Sequence, residues 1–158
     1  CYVFTSFSSR KEQKQINMEI SYMNLGDFQE IEPIYNLEFD DFWKPQNLKS
    51  ELQNVSSKYI VAKENGEIVG FAGIWYSVDD AHITNIVVRK SYRNKGIGSL
   101  LPEKLIELAK PKTSLTLEVN TKNEIAQKLY LKYGFKNLGI RKKYYDGIED
   151  AYIMTLYF

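Results

Sequence analysis

Cysteine is almost absent from this sequence, since the 158 residues include one, Cys1. A single thiol excludes an intrachain disulfide and any zinc site built from several cysteines, so the composition favours a reducing compartment such as the cytoplasm. Histidine is equally scarce, and the one present, His82, falls at the start of a predicted strand, away from every motif. The sequence therefore assigns His82 no role and predicts no metal site.

Long apolar runs and a strong excess of one charge are also missing. No stretch approaches the ~18 apolar residues that a membrane-spanning helix needs. The formal net charge is +1, which gives no reason to expect a nucleic acid or a membrane as partner. What is present is ordinary for a globular domain, with 44% hydrophobic and 26% charged residues in a length typical of one domain.

A domain-like pattern begins near Met18. Residues 1–17 combine a short aromatic run with a polar stretch from Ser8 to Gln15, and we interpret them as an N-terminal extension or a tag. A signal peptide is not expected there, because the positive charges follow the apolar residues and the apolar run is too short. Residues 18–158 are then expected to form a single domain.

Hydrophobic periodicity from residue 18 onward predicts the element order β-α-α-β-β-β-α-β-α-β-β. Asp27 is placed to cap the first helix, and Asn65-Gly66 is typical of a hairpin turn within an antiparallel meander. Two later helices are expected over residues 96–110 and 123–133, the second closed by Gly134.

Two glycines, Gly96 and Gly98, lie where a predicted strand gives way to a predicted helix. Glycine lets the backbone approach a ligand, and the first amides of a helix lack partners and lie at its positive end. With Arg93 and Lys95 adding charge, residues 93–98, here called the phosphate loop, suit a phosphate group. The third glycine of a dinucleotide-binding loop is missing, and a glycine-softened turn after a strand is the alternative.

The phosphate loop and the strand before it resemble the acetyl-CoA motif of the GNAT acetyltransferase superfamily. The matching pattern is Val87-Val88-x4-Arg93-x2-Gly96-x-Gly98. Residues 117–119, Asn123 and residues 129–135 resemble the second half of the same fold. The tail, Arg141-x2-Tyr144-Tyr145-x4-Asp150, is similar to the RimI family, which acetylates the N-terminal amine of a small-subunit ribosomal protein. This resemblance implies an α+β, three-layer fold whose mixed, mostly antiparallel central sheet is flanked by about four helices.

The resemblance also implies acetyl-CoA (CoA) as the cofactor and a set of residues to hold it. The strand at residues 86–88 would pair with the pantetheine arm, and the amides of residues 94–99 would hold the pyrophosphate. The implied cofactor-binding residues are Ile86, Val87, Val88, Arg93, Asn94, Lys95, Gly96, Ile97, Gly98, Ser99, Asn123 and Tyr130.

Two residues would carry the chemistry that the resemblance implies, Glu118 as the general base and Tyr130 as the acid that protonates the leaving thiolate. A carboxylate suffices for an α-amine, whose pKa is about 7.7–8.0 against about 10.4 for lysine. A phenol is neutral at working pH and can donate a proton. The residues alone leave plainer alternatives, in which Glu118 is a solvated strand residue and Tyr130 only packs.

The implied acceptor is a protein N-terminus on a ribosomal protein. The sequence itself leaves the oligomeric state open between a monomer and a weak dimer. The residues that bind the acceptor would be Trp43, Asn85, Glu118, Tyr144 and Tyr145, although the two tyrosines also suit ordinary strand positions. Acetylation of a small amine or a lysine side chain, and a non-catalytic CoA-binding module, are the alternatives.

Three departures from the family's pattern bear on these expectations. Ser99 stands where the family often has Arg or Lys, so one phosphate contact is missing. Pro102 falls inside the helix after the phosphate loop, where it removes one hydrogen bond and predicts a kink or a loosened first turn. The order Phe42-Trp43 differs from the Pro-Trp of the family, which bears on peptide specificity.

Overall fold

The protein is described by a computed structural model over residues 3–7, 17–39, 44–145 and 147–158. The strands within these ranges are β1 (Val3–Phe7), β2 (Met18–Tyr22), β3 (Ser57–Glu64), β4 (Glu67–Tyr76), β5 (Asp80–Val88), β6 (Ser114–Asn120), β7 (Lys136–Tyr145) and β8 (Glu149–Tyr157). The helices are α1 (Leu25–Ile31), α2 (Pro45–Leu52), α3 (Ile97–Ala109) and α4 (Glu124–Lys132), with a π-helical turn at Tyr35–Phe39. From β2 onward this is the predicted order.

All eight strands join one sheet in the order β1-β2-β3-β4-β5-β6-β8-β7. Every neighbouring pair is antiparallel except β5 and β6, which run parallel. The expected mixed, mostly antiparallel sheet is thereby confirmed. β1, to which the sequence analysis assigned no strand, adds an edge beside β2.

The parallel pair β5–β6 is short, and this shapes the centre of the molecule. Its register covers Asp80–His82 against Ser114–Thr116. Beyond this point the register between the described residues of β5 and β6 ends, and a gap opens between the strands. Next to the gap, β5 bulges against β4 at Thr84, because Ile83 pairs with Ile74 but Asn85 pairs with Gly73. A bulge inserts one residue and shifts the side-chain alternation.

Two hydrophobic clusters lie on the two sides of the sheet. One contains Leu101 and Leu105 of α3 packed on Leu115 and Leu117 of β6. The other contains residues of α1, the π-helical turn and α2, packed on the opposite faces of β3 and β4. Helices thus cover both faces, which makes the three layers that the resemblance implied. The bulge explains why Ile83 belongs to the first cluster and Val87 to the second.

The start of α1 differs in detail from the prediction. The N-cap is Asn24, not Asp27, and the two residues form a capping box in which each side chain accepts from the other's backbone amide. Asn24 has the extended backbone that an N-cap requires, whereas Asp27 occupies the third helical position. The predicted turn at Asn65-Gly66 and the end of α4 at Gly134 are confirmed, with φ of 50°, 84° and 97° respectively.

Candidate active site

A cavity of about 490 Å³ lies beside the gap between β5 and β6. We call it the cofactor cleft, because eight residues predicted to bind the cofactor line it. They are Ile86, Val87, Val88, Arg93, Asn94, Gly98, Asn123 and Tyr130. Strand β5, the phosphate loop and the start of α4 therefore meet in one space of the size that ligand pockets usually have.

The phosphate loop enters α3 through a left-handed residue. Gly96 is the N-cap of α3, with φ of 85°, a conformation that glycine adopts without steric cost. A Cβ placed on Gly98 would meet no atom within 4 Å, so the first turn of α3 faces open space. Free amides, a positive helix end and an open approach are the features of an anion site.

The other loop residues in the predicted cofactor set do not line the cleft with their side chains. Ile97 is 2% exposed and packs in the core, and the Lys95 ammonium lies 5.1 Å from the centre of the Tyr92 ring. The Ser99 carbonyl accepts a hydrogen bond from the Tyr133 hydroxyl at 3.1 Å. Lys95, Gly96 and Ile97 are thus left to act through their amides, whereas the Ser99 amide donates to the Gly96 carbonyl at 3.2 Å.

Arg93 uses its guanidinium group to bind main-chain carbonyls, although its charge alone suggested a contact with phosphate. Its Nε donates to the carbonyl of Val88 at 3.0 Å, and its Nη2 donates to the carbonyl of Phe39 at 3.3 Å. These bonds tie the phosphate loop to the end of β5 and to the π-helical turn. Pro102, expected to disturb α3, lies inside a helix that continues from Ile97 to Ala109.

A second cavity, of about 220 Å³, adjoins the first. We call it the acceptor cavity; it is lined by Asn85, Glu118 and Tyr145, all predicted on the acceptor side, among others. The two cavities share Ile86, Asn123, Ala126 and Tyr130. Tyr130 therefore lies at the junction of the two spaces, where a group passing from one side to the other would be transferred.

Glu118 points away from Leu117 and Val119, as predicted, but it is not a solvated residue, since its side chain is 8% exposed. Its Oε2 lies 2.7 Å from His82 Nε2 and its Oε1 lies 3.3 Å from Arg141 Nη1. Burial acts to raise the pKa of Glu118, but His82 and Arg141 outweigh it and the net shift is downward. The carboxyl group is therefore ionised at neutral pH.

The pKa of Tyr130 is raised, whereas that of Glu118 is lowered. Burial, with a smaller contribution from Tyr133, raises the pKa of Tyr130 to about 12. The ring packs edge-on against Phe135, with centroids 5.6 Å apart. Within the described ranges no hydrogen bond to the Tyr130 hydroxyl occurs. The phenol is therefore neutral, and Tyr130 lines both cavities where they meet.

The remaining residues predicted on the acceptor side lie around Glu118. The Tyr145 hydroxyl donates to the Glu118 carbonyl at 3.2 Å, and the Tyr144 ring lies 4.9 Å from that of Tyr145. Asn85 is 6% exposed and accepts from the Thr84 hydroxyl at 3.1 Å. Trp43 lies outside the described residues.

Asn123 has a local structural role beside its predicted contact with the cofactor. It is the N-cap of α4, and its side-chain oxygen accepts from the Ala126 amide at 3.1 Å. Because that oxygen is engaged, the amide nitrogen of the side chain is the group that remains to meet a ligand. Asn123 lines both cavities, so it fixes the start of α4 at their border.

His82 is the functional candidate that the sequence analysis missed. Its contact with Glu118 depends on the parallel register of β5 and β6, which places His82 opposite Thr116, two residues before Glu118. Strand alternation alone could have placed each side chain on a face, but it does not give the register between strands separated by a helix.

The described part of the chain contains neither a cluster of metal ligands nor a membrane-spanning helix. No group of three or more His, Cys, Asp or Glu there is arranged to hold a metal ion. No described helix combines the length and apolarity required to cross a membrane.

The fold and the paired cavities define an acetyltransferase: residues 28–135 match the sequence profile of the acetyltransferase (GNAT) family, and the chain belongs to that family. Enzymes of this family take the acetyl group from acetyl-CoA. One solved neighbour, a GNAT family acetyltransferase from Elizabethkingia anophelis, has acetyl-CoA bound. It is 25% identical, covers 89% of this chain and 98% of its own, and gives a TM-score of 0.72.

The more similar relatives carry narrower names. A Bacillus subtilis protein, provisionally named a ribosomal protein bS18-alanine N-acetyltransferase, is 40% identical over 80% of this chain and 88% of its own length. The Haemophilus influenzae enzyme of that name is 36% identical over 87% and 97%. The crystal structure of the ribosomal-protein-S18-alanine N-acetyltransferase from Escherichia coli has a TM-score of 0.79 at 31% identity, covering 89% of this chain and 93% of its own.

Proposed function

We propose that this enzyme transfers the acetyl group of acetyl-CoA to the N-terminal α-amine of a protein, and that the acceptor is ribosomal protein bS18. The relatives named for that reaction support the acceptor. The observation that carries the chemistry is the placement of Glu118 and Tyr130 on one cavity, with Tyr130 also lining the cofactor cleft. In this proposal Glu118 is the base on the acceptor side, and Tyr130 is the acid between the acceptor and the cofactor.

The residues around the cofactor cleft suit acetyl-CoA, which supplies a thioester as acetyl donor when bound. Ile86, Val87 and Val88 lie on β5 beyond its last paired residue on the β6 side, so their main chain would hold the pantetheine arm. The first amides of α3 would hold the pyrophosphate, and the open space at Gly98 leaves room for it. Asn123 would contact the arm at the border of the two cavities.

Glu118 acts as the base in this proposal. An α-amine with a pKa of about 7.7–8.0 is partly neutral near pH 7.5, so attack does not wait for a strong base. The ionised Glu118 attracts any ammonium form by charge, and it accepts the proton that becomes acidic once the nitrogen bonds to the acetyl carbon. A weak but permanently ionised carboxylate is sufficient for that step.

Tyr130 acts as the acid. Its pKa of about 12 keeps the phenol protonated over the working range, and its hydroxyl is available on the junction of the cavities. A departing thiolate takes up a proton more readily from a donor that is already placed beside it. The phenol then recovers its proton from water.

The experiment compares three acceptors at saturating acetyl-CoA: a peptide with the N-terminal sequence of bS18, the same peptide with its N-terminus blocked and an internal lysine retained, and a polyamine. We expect acetylation of the first alone, read by mass spectrometry. Transfer only to the lysine peptide or to the polyamine would contradict the proposed acceptor.

The proposal has three coarser features. We propose a cytoplasmic location, because ribosomal proteins are made and assembled there. We also propose that the enzyme works as a monomer or a weak dimer, and that residues 18–158 form the catalytic domain, with residues 1–17 as an extension that contributes β1. Size-exclusion chromatography with light scattering tests the oligomeric state. The activity of a chain that starts at Met18 tests the bounds of the catalytic domain.

A further inference from the structure

His82 and Glu118 join two strands at the point where their register ends. His82 is the last residue of β5 paired with β6, opposite Thr116. Glu118 lies two residues further along β6, at the mouth of the gap, and the imidazole reaches it at 2.7 Å. Since an ionised carboxylate only accepts hydrogen bonds, the proton lies on Nε2 of His82.

The two oxygens of Glu118 have partners of different kinds. Oε2 is held by His82, a short side chain that is 32% exposed and is carried by the central sheet. Oε1 is held at 3.3 Å by Arg141, a long side chain that is 57% exposed and also lies over the Tyr144 ring. Glu118 itself is buried, but its Arg141 partner is exposed to water, and the 3.3 Å contact is the longer of the two. Oε1 is therefore the oxygen that an incoming cation can take over.

We propose that His82 is a positioning residue for acetyl transfer: by holding Oε2 it presents Oε1 of Glu118 to the acceptor amine, which displaces Arg141. The inference rests on the proposed role of Glu118 as the base. In the step itself one N–H bond of the amine breaks and one O–H bond forms on Oε1, and the proton later leaves to water. His82 keeps its own proton throughout.

Among the described residues, few other charged or titratable groups lie around the pair. Asp80 and His82 both line an outer cleft of about 250 Å³. Its other lining residues are Trp75, Ser77, Ala81, Ser114 and Thr116. From β7, Arg141 and the hydroxyl groups of Tyr144 and Tyr145 face Glu118. His82 does not line the acceptor cavity, so it acts through Glu118 and not on the amine directly.

The test compares two amides at position 82. The side-chain nitrogen of His82→Gln reaches about as far as Nε2, whereas that of His82→Asn is one methylene too short. At saturating acetyl-CoA with the bS18 peptide, we expect His82→Asn to lower kcat about 10- to 100-fold, the usual effect of losing a hydrogen bond to a charged group. Acetyl-CoA affinity should stay unchanged, and His82→Gln should recover most of the lost rate.

The pH profile gives a second readout that a purely structural role would not move. Loss of the His82 donor removes an interaction that lowers the pKa of Glu118, so the acidic limb of kcat should move to higher pH in His82→Asn and less so in His82→Gln. His82→Phe serves as the donor-free variant if the asparagine variant does not fold.

Two results would overturn the inference. The first is a wild-type kcat and pH profile in the variants without a donor, and the second is an equal loss in the glutamine and asparagine variants. Glu118→Gln separates this failure from that of the proposed function. If Glu118→Gln keeps full activity, the base is misassigned. If it is inactive while His82→Asn behaves as wild type, only the role of His82 is refuted.

Discussion

The cofactor cleft and the acceptor cavity share four residues but are built in different ways. In the cofactor cleft the groups proposed to bind the ligand are mainly backbone, namely the edge of β5 beyond His82 and the first amides of α3 beyond Gly96. The acceptor cavity offers side chains from three strands, among them Asn85 of β5, Glu118 of β6 and Tyr145 of β7. Outside the cavity wall, His82 and Arg141 hold the two oxygens of Glu118.

This difference separates two kinds of tolerance to mutation. A site made of backbone keeps its affinity through many substitutions, provided that the chain conformation and the open space are preserved. A site made of side-chain contacts depends on each functional group. Substitutions on the cofactor side should therefore act through shape and affinity, and those on the acceptor side through the rate.

The largest effect is expected from filling the phosphate loop. Gly98→Glu places a carboxylate where the pyrophosphate is expected, and we predict that acetyl-CoA binding falls below detection by calorimetry. A glutamate in the first turn of a helix is favourable for the helix, so the fold should persist. Gly98→Ala is the matched control, because its Cβ meets no atom within 4 Å and affinity should change little. Equal affinity in the glutamate variant would refute the site.

Glu118→Gln tests the acceptor side. The amide keeps the size of the side chain and removes its charge and basicity, so we expect kcat to fall about 10²- to 10⁴-fold. Acetyl-CoA affinity should match the wild type, because Glu118 does not line the cofactor cleft. Steady-state kinetics and calorimetry on the same preparation measure both. A weakened affinity with a normal kcat would break the division between the two cavities.

Tyr130→Phe tests the residue common to both cavities. We expect kcat to fall about 10²-fold from the loss of the proton donor, with a small change in acetyl-CoA affinity. The pKa of Tyr130 is raised to about 12, so the protonated acid is retained as pH rises past 10 and is lost only near 12. Wild-type kcat followed from pH 8 to 10 should show no decline due to this group, and a midpoint near 9 assigned to Tyr130 would contradict the structure.

The smallest effect is expected at Gly96. A side chain at φ of 85° is strained by about 1–2 kcal/mol, so Gly96→Ala should lower the melting temperature by a few degrees. Acetyl-CoA affinity should weaken modestly, because the direction of the first amides changes, while kcat at saturation stays near normal. Calorimetry and thermal denaturation check this. A large fall in kcat would show that the loop does more than bind.

The sequence could predict the cofactor side of the site better than the acceptor side. The phosphate loop is contiguous, and glycines at a strand-to-helix junction have a direct physical meaning, so its position was predictable. The pairing of His82 with Glu118 was not, because it depends on the register of β5 and β6, which are separated by α3. The sequence favours Asp27 as the N-cap because aspartate caps helices well, but Asn24 three residues earlier is the N-cap and completes a capping box with it.

The gap between β5 and β6 has a consequence for how the protein responds to its ligand. Pairing between the described residues of the two strands stops at His82 and Thr116, so the far edge of β5 has main-chain groups that water reaches in the free enzyme. A bound pantetheine arm would act as the missing strand of the sheet. Deuterium uptake along residues 86–88 should then slow on cofactor binding, and the backbone itself would report occupancy even when no acetyl group is transferred.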